Sequence, residues 1–357
     1  MHRTCQRVGR GPVRGFEATL GMSARPGGCK DTPPLRPAGG QVMAPAPSRG
    51  PMRVVFMGTP AFAVPTLDAL VAAGHEVLGV VAQPDRPVGR GQQLVSPPTV
   101  QRARELGLEV RQPRAVKSGA FPEWLETCGA ELAVVVAYGR ILTPRLLAAP
   151  RRGCLNVHAS LLPKYRGAAP IQWAVVRGET VTGVTTMKMA EGLDTGDMLL
   201  RASTPIGPDE DAEALAGRLS QMGAALLVET LARLDELVPE PQDEALATFA
   251  PLLTKEHGIL DWSRPAGALH DQIRGLKPWP GASCTLRGEA LKVSRARVLA
   301  REGQQGAPGE VLAGAGLLVA CGQGSLEILE GQAPGRRVQP GRDLINGLRI
   351  RPGEVLA

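Results

Sequence analysis

Arg53 to Leu70 reads RVVFMGTPAFAVPTLDAL. The first six residues form a short β-branched and apolar run that ends in Gly58, and the residues after the turn have the pattern of a helix. A strand, a tight glycine turn and a helix in this order commonly open a doubly wound α/β domain. The turn, GTPAFA, lacks the glycine spacing of a dinucleotide-binding fingerprint. The sequence therefore predicts this fold class without an NAD site.

The chain continues with alternating strand and helix patterns. We predict further strands from Glu76 to Gln83, from Leu132 to Tyr138, from Cys154 to Val157 and from Val184 to Met189. We predict helices from Thr99 to Gly107, from Phe121 to Cys128 and from Asp211 to Glu236. The run ending at Tyr138 is wholly apolar, as expected of a central parallel strand. His75, just before the second strand, is interpreted as a surface residue.

The composition and hydrophobic pattern of the sequence change after about residue 238. Val238 to Ala245 reads VPEPQDEA, which is a linker by composition. Beyond it, short apolar runs such as Leu291–Val293, Gly309–Leu312 and Leu317–Ala320 are broken repeatedly by glycine. This pattern predicts a small β-barrel as a second domain.

The net charge of +7 is unevenly distributed. Residues 1–50 hold eight basic and two acidic residues, residues 51–260 hold 20 and 23, and residues 261–357 hold 13 and 9. The positive excess of the expected folded part therefore lies in its C-terminal third, where we expect an RNA-facing surface.

The N-terminal 50 residues are rich in Gly, Pro and Arg and show no periodicity that would bury a face. We expect residues 1–51 to be a disordered extension. An organellar transit peptide is one alternative. Translation starting at Met52 is another, and we favour it because a strand begins at Arg53.

Six cysteines are widely spread, with no CxxC pair and no metal-ligand spacing: Cys5, Cys29, Cys128, Cys154, Cys284 and Cys321. This usage favours a reducing, cytoplasmic compartment and predicts no metal site. No apolar run approaches the ~20 residues that a membrane helix needs. We expect a protein that does not enter the membrane, and nothing in the sequence demands more than a monomer.

The richest stretch for chemistry is Gly153 to Leu200. Asn156, His158 and Ser160 alternate at the end of a predicted strand, so their side chains would leave the same face if the strand continued. Asp194 follows in a Gly-Leu-Asp-Thr-Gly turn, with Asp197 as a rival by composition. An amide, an imidazole and a carboxylate together suit acyl transfer, because donors can stabilise an oxyanion while the carboxylate helps move protons. Each residue taken singly also fits a cap, a structural histidine or an Asx turn.

A loop of about fifteen residues runs from Pro84 to Pro98 and is dense in Pro, Gly and Arg. Loops of this length are commonly functional, although a solvated surface excursion fits equally well.

The strings NVH, SLLP, RGAAPIQ and GLDTGD, at residues 156–158, 160–163, 166–172 and 192–197, closely resemble those of the formyltransferases that use 10-formyltetrahydrofolate, above all those acting on methionyl-tRNA. The resemblance covers about 300 residues, from Met52 nearly to the C-terminus. It implies a Rossmann-like parallel-sheet domain followed by an OB-like β-barrel domain that binds tRNA. It also implies transfer of the formyl group from 10-formyltetrahydrofolate, a co-substrate, to the α-amino group of methionine on initiator methionyl-tRNA, for translation initiation.

The resemblance also assigns residues. Asn156, His158 and Asp194 would be catalytic, and the segment Ser160, Leu161, Leu162 and Pro163 would bind the folate. In the Pro84 to Pro98 loop, Arg90 and then Arg86 would approach the tRNA acceptor stem, since arginine can contact phosphate and stack on a base. Gln92 and Gln93 stand where many relatives carry lysines, which lowers the charge of this loop.

The resemblance implies domain boundaries of 52–237 for the catalytic domain, 238–254 for a linker and 255–357 for the second domain. Related site chemistry serves enzymes that formylate glycinamide ribonucleotide or amino sugars, so those acceptors stay open. A non-catalytic RNA-binding protein with this fold is a rival of another class.

Overall fold

The computed structural model describes residues 50–89, 91–303 and 305–357, without the side chain of Val88. Residues 1–49, nearly all of the expected disordered extension, lie outside the described residues, and so does Arg90. In the described ranges, no helix has both the length and the apolar composition needed to cross a membrane.

The first part of the chain alternates strands with helices. Its strands are β1 (Arg53–Gly58), β2 (Glu76–Val81), β3 (Arg86–Val88), β4 (Gln93–Val95), β5 (Val110–Arg111), β6 (Leu132–Val136), β7 (Cys154–His158), β8 (Arg166–Gly167), β9 (Val181–Lys188) and β10 (Met198–Pro205). Its helices are α1 (Val64–Ala72), α2 (Pro98–Glu105), α3 (Ala120–Thr127), α4 (Pro144–Ala148), α5 (Pro170–Val176) and α6 (Ala212–Ala232).

Seven of these strands form one sheet in the order β10-β9-β7-β6-β1-β2-β5. The pairs β5/β2, β2/β1, β1/β6 and β6/β7 are parallel, whereas β9 runs antiparallel to both β7 and β10. The predicted doubly wound parallel sheet is confirmed, with two antiparallel strands added at one edge. The chain order reverses beside β1, and ligands of such sheets bind at the carboxyl ends of the strands there.

Both faces of this sheet are covered, as the apolar run of β1 requires. Val54 and Phe56 pack into the same core cluster as Leu67 of α1 and Leu227 of α6. The alternate residues of β1 point to the other face, where they join the cluster that contains α3 and α4. Strands buried on both faces read as continuous apolar runs rather than as alternating patterns.

Three sequence interpretations differ in detail from the structure. The stretch from Pro84 to Pro98 is not a plain loop, because β3 and β4 pair within it as an antiparallel hairpin. His75 is only partly exposed, since its Nδ1 accepts a hydrogen bond of 3.2 Å from the backbone N–H of Met52. The predicted helix from Asp211 to Glu236 begins one residue later, because Asp211 caps it, and it ends at Ala232.

The second part of the chain forms a curled antiparallel sheet. The elements of this second part are β11 (Phe249–Ala250), α7 (Ala266–Gly275), β12 (Ala282–Leu286), β13 (Glu289–Ala300), β14 (Val311–Leu312), β15 (Leu317–Ala320), β16 (Ser325–Gln332), β17 (Gln339–Pro340) and α8 (Gly341–Leu348). Five strands run in the order β12-β13-β16-β15-β14, and β17 pairs with β16. The sheet and the helices α7 and α8 enclose one apolar core.

The C-terminal residues bridge the two edges of this sheet. Ala357 exchanges backbone hydrogen bonds of 2.6 and 2.9 Å with Thr285 of β12. On the other side, the N–H of Val311 in β14 donates to Glu354 at 2.7 Å. The sheet therefore curls towards closure, which confirms the predicted small barrel.

The connecting stretch after α6 is bonded to the first sheet. Glu240 exchanges two 2.8 Å backbone hydrogen bonds with Met198, and β11 pairs in parallel with β8. Helix α7 packs closely on α5, where a Cβ on Gly275 would come within 2.8 Å of the backbone nitrogen of Val176. The stretch predicted to be a linker is thus a packed part of the structure.

Candidate active site

Asn156 and His158 lie on β7, which is buried along its whole length. They are two residues apart, so their side chains leave the same face of the sheet, away from α6. In the parallel register Asn156 stands beside Val135 of β6, and both strands end within two residues of this pair. The two polar side chains therefore lie at the carboxyl edge of the sheet. Ser160 does not continue this row, because the strand stops at His158.

Asp194 reaches the same place from the turn between β9 and β10. Its Oδ1 lies 3.5 Å from Asn156 Nδ2, and its Oδ2 lies 3.6 Å from His158 Nδ1. Its Oδ2 also accepts a 2.8 Å hydrogen bond from the backbone N–H of Gly167. The structure thus brings together the three residues predicted to be catalytic. The rival, Asp197, is exposed in the same turn.

The hydrogen-bonding partners of His158 determine which side of its ring faces the carboxylate. Its Nε2 lies 2.9 Å from the carbonyl oxygen of Tyr165. A carbonyl can only accept, so Nε2 carries the hydrogen. Nδ1 then presents a lone pair towards Asp194 in the neutral ring and an N–H in the imidazolium. The ring is oriented to exchange a proton on its Asp194 side.

The three side chains are in contact but are not tightly hydrogen-bonded to one another. Distances of 3.5 and 3.6 Å are longer than ordinary hydrogen bonds between such groups. Catalytic hydrogen bonds are often long in an empty site and shorten when substrate binds. The side chain of Asp194 is 14% exposed, so the carboxylate can be reached from outside. The site offers an amide donor, an oriented imidazole and an accessible carboxylate.

Other ionisable groups nearby are held neutral. Burial, with a hydrogen bond to Glu179, raises the pKa of the Tyr165 hydroxyl to about 12. Burial also raises the pKa of Tyr138, at the end of β6, to about 12, and does the same to the Cys154 thiol in β7. All three groups stay protonated near neutral pH, so none of them supplies a base or a thiolate there.

The segment from Ser160 to Pro163 forms a closely bonded turn after β7. The hydroxyl of Ser160 donates to the carbonyl of Lys164 at 2.6 Å. Thr185 of β9 donates to the Ser160 carbonyl at 2.7 Å and accepts from the Leu162 N–H at 3.2 Å. Leu162 is buried against Met187 and Met198, while Leu161 and Pro163 are half-buried. Several polar groups of the turn are thus engaged within the protein, and its role in folate binding stays a prediction.

The hairpin β3–β4 stands beside the carboxyl edge and carries Arg86. The guanidinium of Arg86 donates to the side-chain oxygen of Gln83, whose amide nitrogen donates to the Tyr138 carbonyl at 3.0 Å. Asp85 anchors the base of the hairpin by accepting from Gln112 at 2.6 Å and from Ser96 at 3.0 Å. These contacts hold Arg86 near the ends of β2 and β6, although Arg86 itself is exposed.

Two clefts open at this edge, one on either side of the residues that follow β6. The first has a volume of about 390 Å³ and the second of about 500 Å³. Lining residues of the first cleft are Thr59, Pro60, Gln83, Pro84, Arg86, Val95, Ser96, Pro97, Pro98 and Ala137. Lining residues of the second are Ala115, Val116, Lys117, Ser118, Gly139, Arg140 and Ile141. Neither cleft is lined by Asn156, His158 or Asp194, so both clefts lie beside these three residues rather than around them.

Sequence reasoning missed the residues that support Asp194. Gln242, in the stretch predicted to be a linker, donates to the carbonyls of Asp194 and Gly196, both at 2.8 Å. Arg166 is buried and donates to Gln242 and Glu244. The string RGAAPIQ contained Arg166, but no spacing in the sequence linked it to residues some 76 positions later.

The comparisons with known proteins agree with this geometry. The model of a family described as "Formyl transferase" matches residues 52–231, and a second, described as "Formyl transferase, C-terminal domain", matches residues 252–349. The chain belongs to the formyl transferase family. The barrel is thus part of what this chain shares with the family.

Among curated relatives, the chain is 53% identical over 307 residues to a protein of Solibacter usitatus named methionyl-tRNA formyltransferase. This alignment covers 85% of the chain and 98% of the relative. A protein of the same name from Citrifermentans bemidjiense is 52% identical, with 85% and 96% covered.

Several solved structures share the fold at low identity. An N-formyltransferase from Helicobacter canadensis, in complex with folinic acid and dTDP-3-aminofucose, superposes with a TM-score of 0.59 at 16% identity, covering 79% of this chain and 99% of that one. HypX from Aquifex aeolicus in complex with tetrahydrofolic acid gives a TM-score of 0.57 at 17% identity, covering 85% of this chain and 49% of HypX. These likenesses concern the fold alone.

Proposed function

We propose that this member of the formyl transferase family transfers the formyl group of 10-formyltetrahydrofolate to the α-amino group of methionine on initiator methionyl-tRNA, for translation initiation. The observation that carries the proposal is the 53% identity to a methionyl-tRNA formyltransferase over 98% of that relative's length. The convergence of Asn156, His158 and Asp194 at one edge of the sheet supports a group-transfer site.

The proposed reaction begins when the lone pair of the methionyl amine attacks the formyl carbon of the donor. A tetrahedral intermediate forms, and its oxygen takes up negative charge. The side-chain amide of Asn156 donates a hydrogen bond to this oxygen, in the manner of an oxyanion hole. His158, when its ring also carries a proton on Nδ1, donates a second hydrogen bond to this oxygen through Nδ1, because its Nε2–H is already used by Tyr165.

The second half of the proposed reaction moves one proton and breaks one bond. The amine, now bonded to carbon, gives up a proton to the Asp194 carboxylate beside His158. The bond between the formyl carbon and N10 breaks, and N10 leaves as an amine that has taken up this proton. The enzyme returns to its starting state, the products being formylmethionyl-tRNA and tetrahydrofolate.

Three features of this chain favour a tRNA as the acceptor. The hairpin β3–β4 carries Arg86 into the lining of the first cleft. The barrel is part of the family match, and residues 261–357 carry 13 basic and 9 acidic residues. We place the folate along Ser160, Leu161, Leu162 and Pro163, and the acceptor stem beside Arg86 and Arg90.

The remaining parts of the proposal concern the whole protein. We propose a monomer with a catalytic domain at 52–237, a connection at 238–254 and a tRNA-binding OB-like domain at 255–357. The acceptor belongs to the translation apparatus, so the reaction is placed where translation takes place, in the cytoplasm.

A panel of acceptors tests the proposal. With 10-formyltetrahydrofolate as donor, we expect transfer to methionyl-tRNA and none to dTDP-3-aminofucose or glycinamide ribonucleotide. Transfer to either small acceptor without transfer to methionyl-tRNA would overturn the acceptor assignment. A protein that binds tRNA but transfers formyl to no acceptor would instead support the non-catalytic RNA-binding alternative.

A further inference from the structure

The turn that carries Asp194 holds this residue in an uncommon conformation. Asp194 has a φ of +53°, in the left-handed region that residues with a side chain adopt at a cost of roughly 1 kcal/mol. Its carboxylate has one short contact, the Gly167 N–H at 2.8 Å, and two longer ones of 3.5 and 3.6 Å. The place of the carboxylate therefore depends strongly on how the backbone of the turn is held.

Gln242 holds that backbone from the other side. Its side-chain nitrogen donates to the carbonyl of Asp194 and to the carbonyl of Gly196, both at 2.8 Å. A carboxamide has two N–H donors, and both are used on this turn. The backbone of the turn is closely packed at Gly196, since a Cβ there would come within 1.7 Å of the Lys188 carbonyl oxygen. The turn therefore has little room to shift.

Arg166 fixes the orientation of the Gln242 side-chain amide. Its Nε donates to Gln242 Oε1 at 2.9 Å, and its two other nitrogens donate to the two carboxylate oxygens of Glu244 at 2.8 and 2.9 Å. A guanidinium only donates, so the amide oxygen must face Arg166 and the NH₂ group must face the turn. Arg166 is 2% exposed, which shields its Nε bond to Gln242 from water, whereas the Glu244 side chain is 73% exposed.

The neighbours of Arg166 touch both catalytic candidates. Tyr165 accepts from His158 Nε2 at 2.9 Å, and Gly167 donates to Asp194 Oδ2 at 2.8 Å. The same short strand, β8, pairs with β11 just beyond Gln242 and Glu244. The two segments around Arg166 and Gln242 thus form one hydrogen-bonded frame around His158 and Asp194.

We propose that Gln242, oriented by Arg166 and Glu244, is a positioning residue that sets the Asp194 carboxylate against His158, so that the connection between the two sheets is a working part of the formyl-transfer site. This inference rests on the proposed function for its kinetic consequence. Its structural consequence, the placement of Asp194 beside His158, does not depend on which acceptor is used.

The chain offers a matched control for testing Gln242. Gln272 donates to two carbonyls, those of His257 and Ile259, at 2.8 and 3.0 Å, and accepts from Arg264 at 2.8 Å. It is buried, whereas Gln242 is half-buried. Gln242→Met and Gln272→Met therefore remove the same set of hydrogen bonds with a similar change of shape. Gln242→Glu is a second variant that keeps an acceptor for Arg166 and removes both donors, for use if Gln242→Met does not fold.

The kinetic arm compares these variants in formyl transfer to methionyl-tRNA. A misplacement of about 1 Å at a catalytic group can cost on the order of 10²-fold in rate, so we expect kcat of Gln242→Met to fall by about that factor with KM values close to wild type. Gln272→Met should keep its kcat. In an Asp194→Asn background, Gln242→Met should add little further loss, because its effect acts through Asp194. A full additional loss in that background would overturn the proposal.

The spectroscopic arm needs no acceptor. Ring-nitrogen NMR shifts of His158 at one fixed pH report which nitrogens carry protons and what they face. We expect Gln242→Met to move these shifts towards those of Asp194→Asn, and Gln272→Met to leave them as in the wild type. Unchanged shifts in folded Gln242→Met would refute the positioning role. If the wild type transfers no formyl group to methionyl-tRNA, the proposed function is wrong. The NMR comparison would still test whether Gln242 positions Asp194 beside His158.

Discussion

At the scale of single residues, Asn156 has the clearest expected effect. Its amide is the donor proposed for the oxyanion, and losing one such donor typically costs on the order of 10²–10³ in rate. We predict that Asn156→Ala lowers kcat by about this factor, while the affinity for 10-formyltetrahydrofolate changes little. Asn346→Ala, at an exposed position of α8, is the control. An unchanged kcat in folded Asn156→Ala would remove this residue from the mechanism.

His75 predicts a pH dependence of stability. Burial lowers the pKa of His75, and its Nδ1 accepts from the Met52 N–H, so the folded protein favours the neutral ring. As the pH falls, His75 is protonated in the unfolded chain near pH 6.5, the ordinary pKa of histidine, before it is protonated in the folded protein. The stabilisation is therefore present above that pH and is lost below it. Urea unfolding between pH 8 and 5 should show a smaller decline for His75→Asn than for the wild type. Parallel declines would contradict this assignment.

The sequence identifies some of the candidate residues and not others. Alternation along a strand placed Asn156 and His158 on one face, because the period of a strand is two. Composition left Asp197 as a rival, and only the resemblance favoured Asp194. The turn gives the physical reason, because the Asp194 carboxylate accepts from the Gly167 N–H whereas Asp197 is exposed. Gln242 could not be found, because its hydrogen bonds join segments about 48 residues apart and leave no periodic signal.

At the scale of elements, the start of α6 gives a stability prediction. The Asp211 side chain accepts from the Ala214 N–H at 2.9 Å and lies 3.3 Å from Lys277 Nζ. Removing an N-cap of this kind costs about 0.5–2 kcal/mol, whereas a partly exposed ion pair contributes about 0–1 kcal/mol. Urea unfolding should show the full loss for Asp211→Ala and a smaller one for Asp211→Asn, which keeps the cap. Equal losses would mean that the charge matters more than the cap.

Strand and helix patterns predicted the existence of the main elements better than their ends. The sequence does not indicate the hairpin β3–β4, because this stretch is rich in Pro, Gly and Arg and lacks an alternating apolar face. Its strands are held instead by tertiary contacts at its base, such as those of Asp85 with Gln112 and Ser96. The bonds of the stretch after α6 to β8 and the β9–β10 turn are likewise long-range and leave no signal in the sequence.

At the scale of the whole molecule, the order of elements predicted the fold class, because strand–helix alternation allows few arrangements other than a doubly wound sheet. The curl of the second sheet could be expected only in outline. It depends on Ala357 and Glu354 pairing with the edge strands β12 and β14, and nothing in their local sequence indicates where they dock.

The charge of the second part predicts a salt-dependent acceptor interaction. Arg287, Arg295 and Arg297 are paired with Glu354, Glu330 and Glu327, whereas Arg336 and Arg337 stand exposed between β16 and β17. Binding of methionyl-tRNA should weaken steeply with salt, by a slope of about 0.9 per phosphate contact. Arg336→Ala with Arg337→Ala should raise KM for the tRNA and lower this slope by about 1–2, with kcat unchanged. Arg145→Ala, which breaks an ion pair with Glu126, is the control. A slope like that of the wild type would exclude these two arginines from the contact.

The most direct test of the whole account is formyl transfer from 10-formyltetrahydrofolate to methionyl-tRNA, measured as kcat for the wild type and for Asp194→Asn. The substitution keeps the size and the fold of the turn but removes the carboxylate that faces His158. We predict rapid transfer by the wild type and a kcat lower by at least about 10²-fold in the variant. Equal transfer by both proteins would show that the chemistry does not take place at this site, and no transfer by a folded wild type would contradict the proposed function.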